Sequence, residues 1–206
     1  MVQLSAIIGL LLGLLFRGSL RNITSHKIYW IFLLILSFMM ETLVMTGLLY
    51  RLTGGSRYFG EIRMTAAVIQ YLLVLIFLLK NILSTNLRQL QYAFGLIAAG
   101  SMANGLVIVS NFGRMPVVQT IWQLSTASVL KIEQAHHYVL AGEGTRLSVL
   151  GDWIPVWSLG WYMVSPGDFL ISIGLMIFCF RLTRNGSSKR IKTVEHNEEI
   201  VYTNGR

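Results

Sequence analysis

Asp152, in Leu150-Gly-Asp-Trp153, and Asp168, in Ser165-Pro-Gly-Asp168, are the only two aspartates in the chain. Brought together at a dry interface, two such carboxylates share one proton, and one can activate water while its protonated partner polarises a carbonyl. Each also has a plainer role available. Asp168 stands where the last apolar run begins, and a carboxylate in a first helical turn stabilises the positive end of the helix dipole by about 0.3–1 kcal/mol. Asp152 could simply pair with Arg114 or Arg146. Spacing alone does not choose between a catalytic pair and two structural acids.

A second constellation is Ser110-Asn-Phe-Gly-Arg-Met-Pro-Val117. Asn111 offers an amide that both donates and accepts, Gly113 permits close approach of a ligand, and Arg114 adds a guanidinium. The structural alternative is a tight exit turn whose Arg114 binds lipid phosphate. With His137, these three are the candidate substrate-binding residues beside the two aspartates. His136 and His137, with Glu133 four residues before His137, have a spacing compatible with metal ligation on a helix. Adjacent histidines point in different directions, however, and no third ligand is apparent, so neither a metal nor another cofactor is expected.

Glu41 lies inside a long apolar run, where a charge costs from ~2.5 to above ~10 kcal/mol according to the scale used. It must face protein or carry a proton. A proton or ion site is one reading, and a neutral carboxyl hydrogen-bonding within a helix bundle is the other. No second acid sits at the centre of another apolar run, which leaves a coupled-ion pathway with little support.

The elements that must position these groups are membrane elements. The 206 residues are 54% hydrophobic and 13% charged, with a mean hydropathy of +0.61, outside the ordinary soluble range of about 45–50% apolar and about 25% charged. The expected architecture is an all-α integral membrane domain over residues 1–182, with about five spans near 2–16, 28–50, 65–79, 90–109 and 169–182. The first run has no basic residue before it and no small-x-small pattern after it, so it reads as a retained anchor, though a short one. The connection 110–168 is too long for an ordinary loop, and its apolar residues from Val117 to Ile132 suggest an amphipathic helix lying in the interface. Trp153, Trp157, Trp161 and Tyr162 suit the headgroup layer. Residues 183–206 read as a basic, disordered cytosolic tail.

The formal charge of +8 does not gather along one groove-sized face, so the lipid bilayer is the expected partner and nucleic acid is not. With the N-terminus outside, 11 Lys and Arg fall on inner segments and 6 on outer ones. That bias puts 110–168 outside a bacterial plasma membrane and the C-terminus in the cytosol. A single cysteine, Cys179, excludes an intrachain disulfide framework. Gly9 with Gly13, and Gly95 with Ala99 and Ala103, form small-xxx-small steps suited to helix packing within the bundle, with a homo-oligomer as the alternative.

The set formed by Gly9-x3-Gly13-Leu-Leu-Phe-Arg-Gly18, Asn111-x-Gly-Arg-Met-Pro-Val117, the run His137 to Asp152 and Ser165-x-Gly-Asp168 resembles an uncharacterised family of small bacterial multi-pass membrane proteins, over residues 1–182. That family commonly carries Gly where this chain has Phe112, and Gln near Glu41. More distantly, Asn111-Phe-Gly113, Asp152-Trp153 and Asp168 are similar in order and expected sidedness to the motifs of lipoprotein signal peptidase, a membrane aspartic protease. That likeness implies Asp152 and Asp168 as a dyad and Asn111 as a substrate-orienting amide. The family's further Asn and Asp motif in its penultimate span has no recognised counterpart here. Three functions follow in order of expectation. The first is a binding, assembly or envelope role for an outward-facing polar patch, with an unknown membrane protein or peptide as partner. The second is aspartic hydrolysis by Asp152 and Asp168. The third is transport past Glu41.

Overall fold

The computed structural model describes residues 2–54, 57–118, 137–157 and 161–184. Within them the chain is mostly helical: α1 (Val2–Leu15), α2 (Ile31–Met45), α3 (Leu48–Leu52), α4 (Phe59–Ser84), α5 (Arg88–Ser110) and α6 (Pro166–Leu182). Two helices, α4 with 26 residues and α5 with 23, are long and apolar enough to cross a membrane. At 1.5 Å per residue they reach roughly 39 and 35 Å, against a hydrocarbon core of roughly 30 Å. Helices α1 and α2 are apolar but shorter, at 14 and 15 residues.

The helices pack as a row, α2 on α4, α4 on α5, α5 on α6 and α6 on α1. Many large apolar side chains are exposed, among them Leu11, Phe32, Ile35, Leu72 and Leu83, while Ser37, Asn81, Ser101, Asn104 and Ser172 are buried alongside an apolar cluster of Phe77, Leu78, Leu90 and Phe94. Buried polar side chains need partners. Asn81 finds them by donating to Tyr29 O and Phe77 O, at 2.9 and 2.8 Å, and accepting from Tyr29 N at 2.9 Å. Small residues set the spacing between helices. A Cβ on Gly100 would lie 2.8 Å from Ile171 Cγ1, and one on Gly174 would lie 2.7 Å from Ala93 O, so α5 and α6 touch backbone to backbone. Gly9 and Gly13 meet α6 and Thr183, as their spacing suggests, but Gly95 faces open space. The seam on α5 therefore runs through Ala93 and Gly100 towards Asn104, one face away from the expected step.

Several boundaries differ from expectation, each for a local reason. The run 28–50 breaks at Gly47, whose φ of 66° ends α2 before the short α3 begins. Helix α4 starts at Phe59 rather than residue 65, because Arg63 turns inward and donates from Nε to Phe112 O at 2.9 Å. It also runs on past Lys80, whose ammonium sits over the Tyr29 and Trp30 rings at 5.7 and 5.3 Å. The ordered chain extends beyond 182: Thr183 is fully buried, and its carbonyl accepts from Ser19 N and Asn22 Nδ2 at 2.8 and 2.7 Å. The rest of the expected tail, from residue 185, lies outside the described residues.

An all-α fold is also corrected. The segment between α5 and α6 contains a parallel pair, β1 (Met115–Val117) with β2 (Tyr138–Leu140), and an antiparallel pair, β3 (Ile154–Trp157) with β4 (Trp161–Val164). Val117, the first residue of the expected interfacial helix, belongs to β1; residues 119–132 lie outside those described. β-branched and aromatic residues fill these short strands, and strand pairing satisfies backbone groups that a bare loop would leave unpaired.

Candidate functional site

The site begins at the N-terminus of α6. Ser165 is the N-cap, Pro166 opens the helix and Asp168 closes a capping box: Asp168 N donates to Ser165 Oγ at 3.0 Å, and Ser165 N donates to Asp168 Oδ2 at 3.2 Å. This is the local hydrogen-bond exchange that Ser with an acid three residues later produces. The buried amide of Asn104, on α5, then ties the cap into the bundle. Its Nδ2 donates to Asp168 Oδ1 at 2.8 Å while its Oδ1 accepts from Ser165 Oγ at 2.8 Å. Both oxygens of Asp168 are thus held by N–H donors.

Asp152 arrives from the opposite side of the chain. Its backbone bridges to β1, with Asp152 N donating to Pro116 O and Val118 N donating to Asp152 O, each at 2.9 Å. Since β1 also pairs with β2, the β1 backbone fixes Asp152 and Tyr138 in one small sheet-like layer. The Asp152 side chain is buried, and its Oδ1 has no hydrogen-bond partner among the described residues. Burial, reinforced by the nearby charge of Asp168, pushes its carboxyl up from 3.8 to about 7. Tyr138 is likewise raised to about 12, first by burial and then by Asp152, Asp168 and Glu41.

Both aspartates line one cavity of about 180 Å³, together with Glu41, Gln70, Tyr71, Asn104, Gly113, His137 and Tyr138. The carboxyl placed by a helix cap and the carboxyl placed by a β-bridge therefore face the same space. A bound water or carbonyl there would meet one carboxylate with its acceptor positions fixed and one carboxyl able to keep a proton near neutral pH.

The other expected site residues separate. Gly113, with φ 77°, closes the C-terminus of α5 through Gly113 N to Ile108 O at 2.9 Å, and it lines the cavity. Phe112 before it also has positive φ, 54°, the conformation that Gly adopts freely. Asn111 does not line this cavity. Its Nδ2 donates to Val107 O and Arg146 O at 2.7 and 2.8 Å, and its Oδ1 accepts from Arg146 N at 2.9 Å. Its amide is thereby engaged in pinning the 142–147 loop to the end of α5. Arg114 joins Asn111 and Arg146 in a neighbouring crevice of about 380 Å³. Of the histidine group only His137 is described, and among the described residues no three His, Cys, Asp or Glu side chains gather as metal ligands.

Asn104, Tyr71, Gln70 and Tyr138 were missed by the sequence reading. Asn104 did carry a signal, an amide within the apolar run 90–109. The other three gain meaning only because α4 and β2 line one cavity.

No solved structure matches this chain. It is similar to an uncharacterized protein of Thermotoga maritima, 34% identical over 88 residues, which is 41% of this chain and 49% of that protein. The chain thus spans about half the length of the curated relative it matches. The sequence profile of a family of unknown function, DUF5317, matches residues 24–180, a stretch that contains every cavity residue named above, and the chain belongs to that family.

Proposed function

We propose that this chain is a five-span plasma-membrane protein, N-terminus outside and C-terminus in the cytosol, and that it hydrolyses an amide or ester bond with Asp152 and Asp168. The exposed apolar side chains of the bundle support the membrane placement, since apolar outer faces suit lipid. The observation that carries the catalytic reading is the shared cavity, with one aspartate fixed by Asn104 and Ser165 and the other buried with its Oδ1 unpartnered among the described residues. It favours hydrolysis over a binding or assembly role, because a binding surface has no need of a buried, protonatable acid facing a carboxylate.

In this mechanism Asp168 is the base. It takes a proton from a water whose oxygen attacks the carbonyl carbon, while protonated Asp152 donates a hydrogen bond to the carbonyl oxygen. As the tetrahedral intermediate collapses, the bond to the leaving nitrogen or oxygen breaks and that atom receives the proton held by Asp168. The Asn104 and Ser165 donors keep Asp168 in place.

The test is a deletion strain complemented with wild type or with the Asp152→Asn/Asp168→Asn double variant at matched membrane abundance, read by quantitative membrane proteomics and lipidomics. Accumulation of one uncleaved precursor or amphiphile only with the double variant is expected. Identical profiles would refute the reading and leave the aspartates structural.

A further inference from the structure

A second cavity of about 470 Å³ lies deeper in the bundle, floored by α4 and α5 between α2 and α6. Its walls are mostly apolar, including Phe38 of α2, Val74 and Phe77 of α4, Ile97 of α5, and Leu175 and Phe178 of α6. Glu41, Gln70, Tyr71, Asn104 and Asp168 line both this chamber and the aspartate cavity. One space therefore grades from hydrocarbon-like walls to the carboxyl pair. We propose that the chamber holds the single alkyl or isoprenoid chain of an amphiphile whose uncharged amide or ester head reaches Asp152 and Asp168. This assignment names the substrate class and rests on the hydrolase reading.

Volume and charge select this occupant. An apolar cavity of about 150 Å³ accepts benzene, so a chamber of 470 Å³ has room for a chain several times longer. Neither cavity is lined by Lys or Arg among the described residues, whereas Glu41, Asp152 and Asp168 all contribute carboxyls. A phosphate head would meet like charge there and find no cationic partner. An uncharged amide can instead donate to the carboxylate and accept from the protonated acid. Helix α2 packs chiefly on α4, which leaves the α2 to α6 side as the route by which a chain enters from the bilayer.

The experiment uses the full chain in lipid nanodiscs and radiolabelled hexadecanamide, with hexadecyl phosphate as the charged competitor. Asp152→Asn is the binding background, since it removes turnover without touching the chamber. Ser37→Phe and Val74→Trp fill the chamber from two different helices, and folding is checked by circular dichroism. Saturable binding to wild type and Asp152→Asn is expected, with at least a tenfold loss in whichever filled variants fold and at least tenfold weaker competition by the phosphate. Absence of saturable binding to folded Asp152→Asn protein would overturn the proposal, as would equal competition by hexadecyl phosphate. Protection of the chamber by a hydrophobic helical peptide but not by hexadecanamide would overturn it too, by assigning the groove to a polypeptide. Binding with no aspartate-dependent turnover sinks the hydrolase alone; turnover of short-chain amides without chain binding sinks the chamber assignment alone.

Discussion

Replacing Asp152 by Asn should make the protein more stable, and increasingly so as pH rises. The carboxyl is pushed from 3.8 to about 7 by burial and by Asp168. A group raised on folding contributes stability that is complete below its unfolded value and is lost as pH climbs through the folded one. Linkage then costs the wild type, relative to a neutral side chain, roughly 2 kcal/mol at about pH 5 and roughly 4 kcal/mol at about pH 8. Asn is nearly isosteric, and Oδ1 of Asp152 has no partner among the described residues to lose. The stability difference between variant and wild type should therefore grow by roughly 2–3 kcal/mol across that interval. For a chain of this size it corresponds to a relative rise in Tm of roughly 5–10 °C. The assay is reversible unfolding in micelles, followed by circular dichroism at both pH values; titration of other groups cancels in the difference. A pH-independent difference, or an Asn variant less stable than wild type at the higher pH, would show that Asp152 is not a buried, proton-holding acid.

Three further outcomes follow from the same geometry. If protonated Asp152 is the acid, turnover of an amide substrate should fall about tenfold per unit above about pH 7, and a flat profile to pH 9 would contradict that role. Asn104→Ala removes the donor to Asp168 Oδ1 and the acceptor of Ser165 Oγ; a loss of about 1–3 kcal/mol is expected in unfolding titrations, with turnover lowered in parallel. Gly113→Ala combines φ 77° with a Cβ only 2.7 Å from Arg63 Cγ, so a loss of about 1–3 kcal/mol is expected, and a neutral result in the same titration would mean that α4 and the turn can separate freely.

Some of this was legible in the residues themselves. Ser165 followed by Asp168 fixes a helix start by local hydrogen bonding, and the sequence places an acid in the first turn of the last apolar run without reference to the rest of the fold. Gly9 and Gly13 announce close packing because a missing Cβ has one consequence at any helix contact. Arg63 misled for the opposite reason. Its charge reads as a loop, yet contacts that include Phe112 O and the Phe59 ring let it sit buried within a helix.

What hydropathy and capping chemistry determine is local: which stretches are apolar, where α6 begins, and that one aspartate lies within the long connection and the other at its end. Their sharing of one cavity is not local. Asp152 is placed by the β1 backbone and Asp168 by Asn104 on α5, so the shared cavity exists only once the strand layer closes over the helix ends. Asn111 shows the same limit, since an amide at a turn can face a ligand or clasp Arg146, and two of its three hydrogen bonds are settled by the path of a loop 35 residues further on. Sequence periodicity records which face of an element is apolar, but it carries no record of which polar groups from distant elements will share one desolvated space.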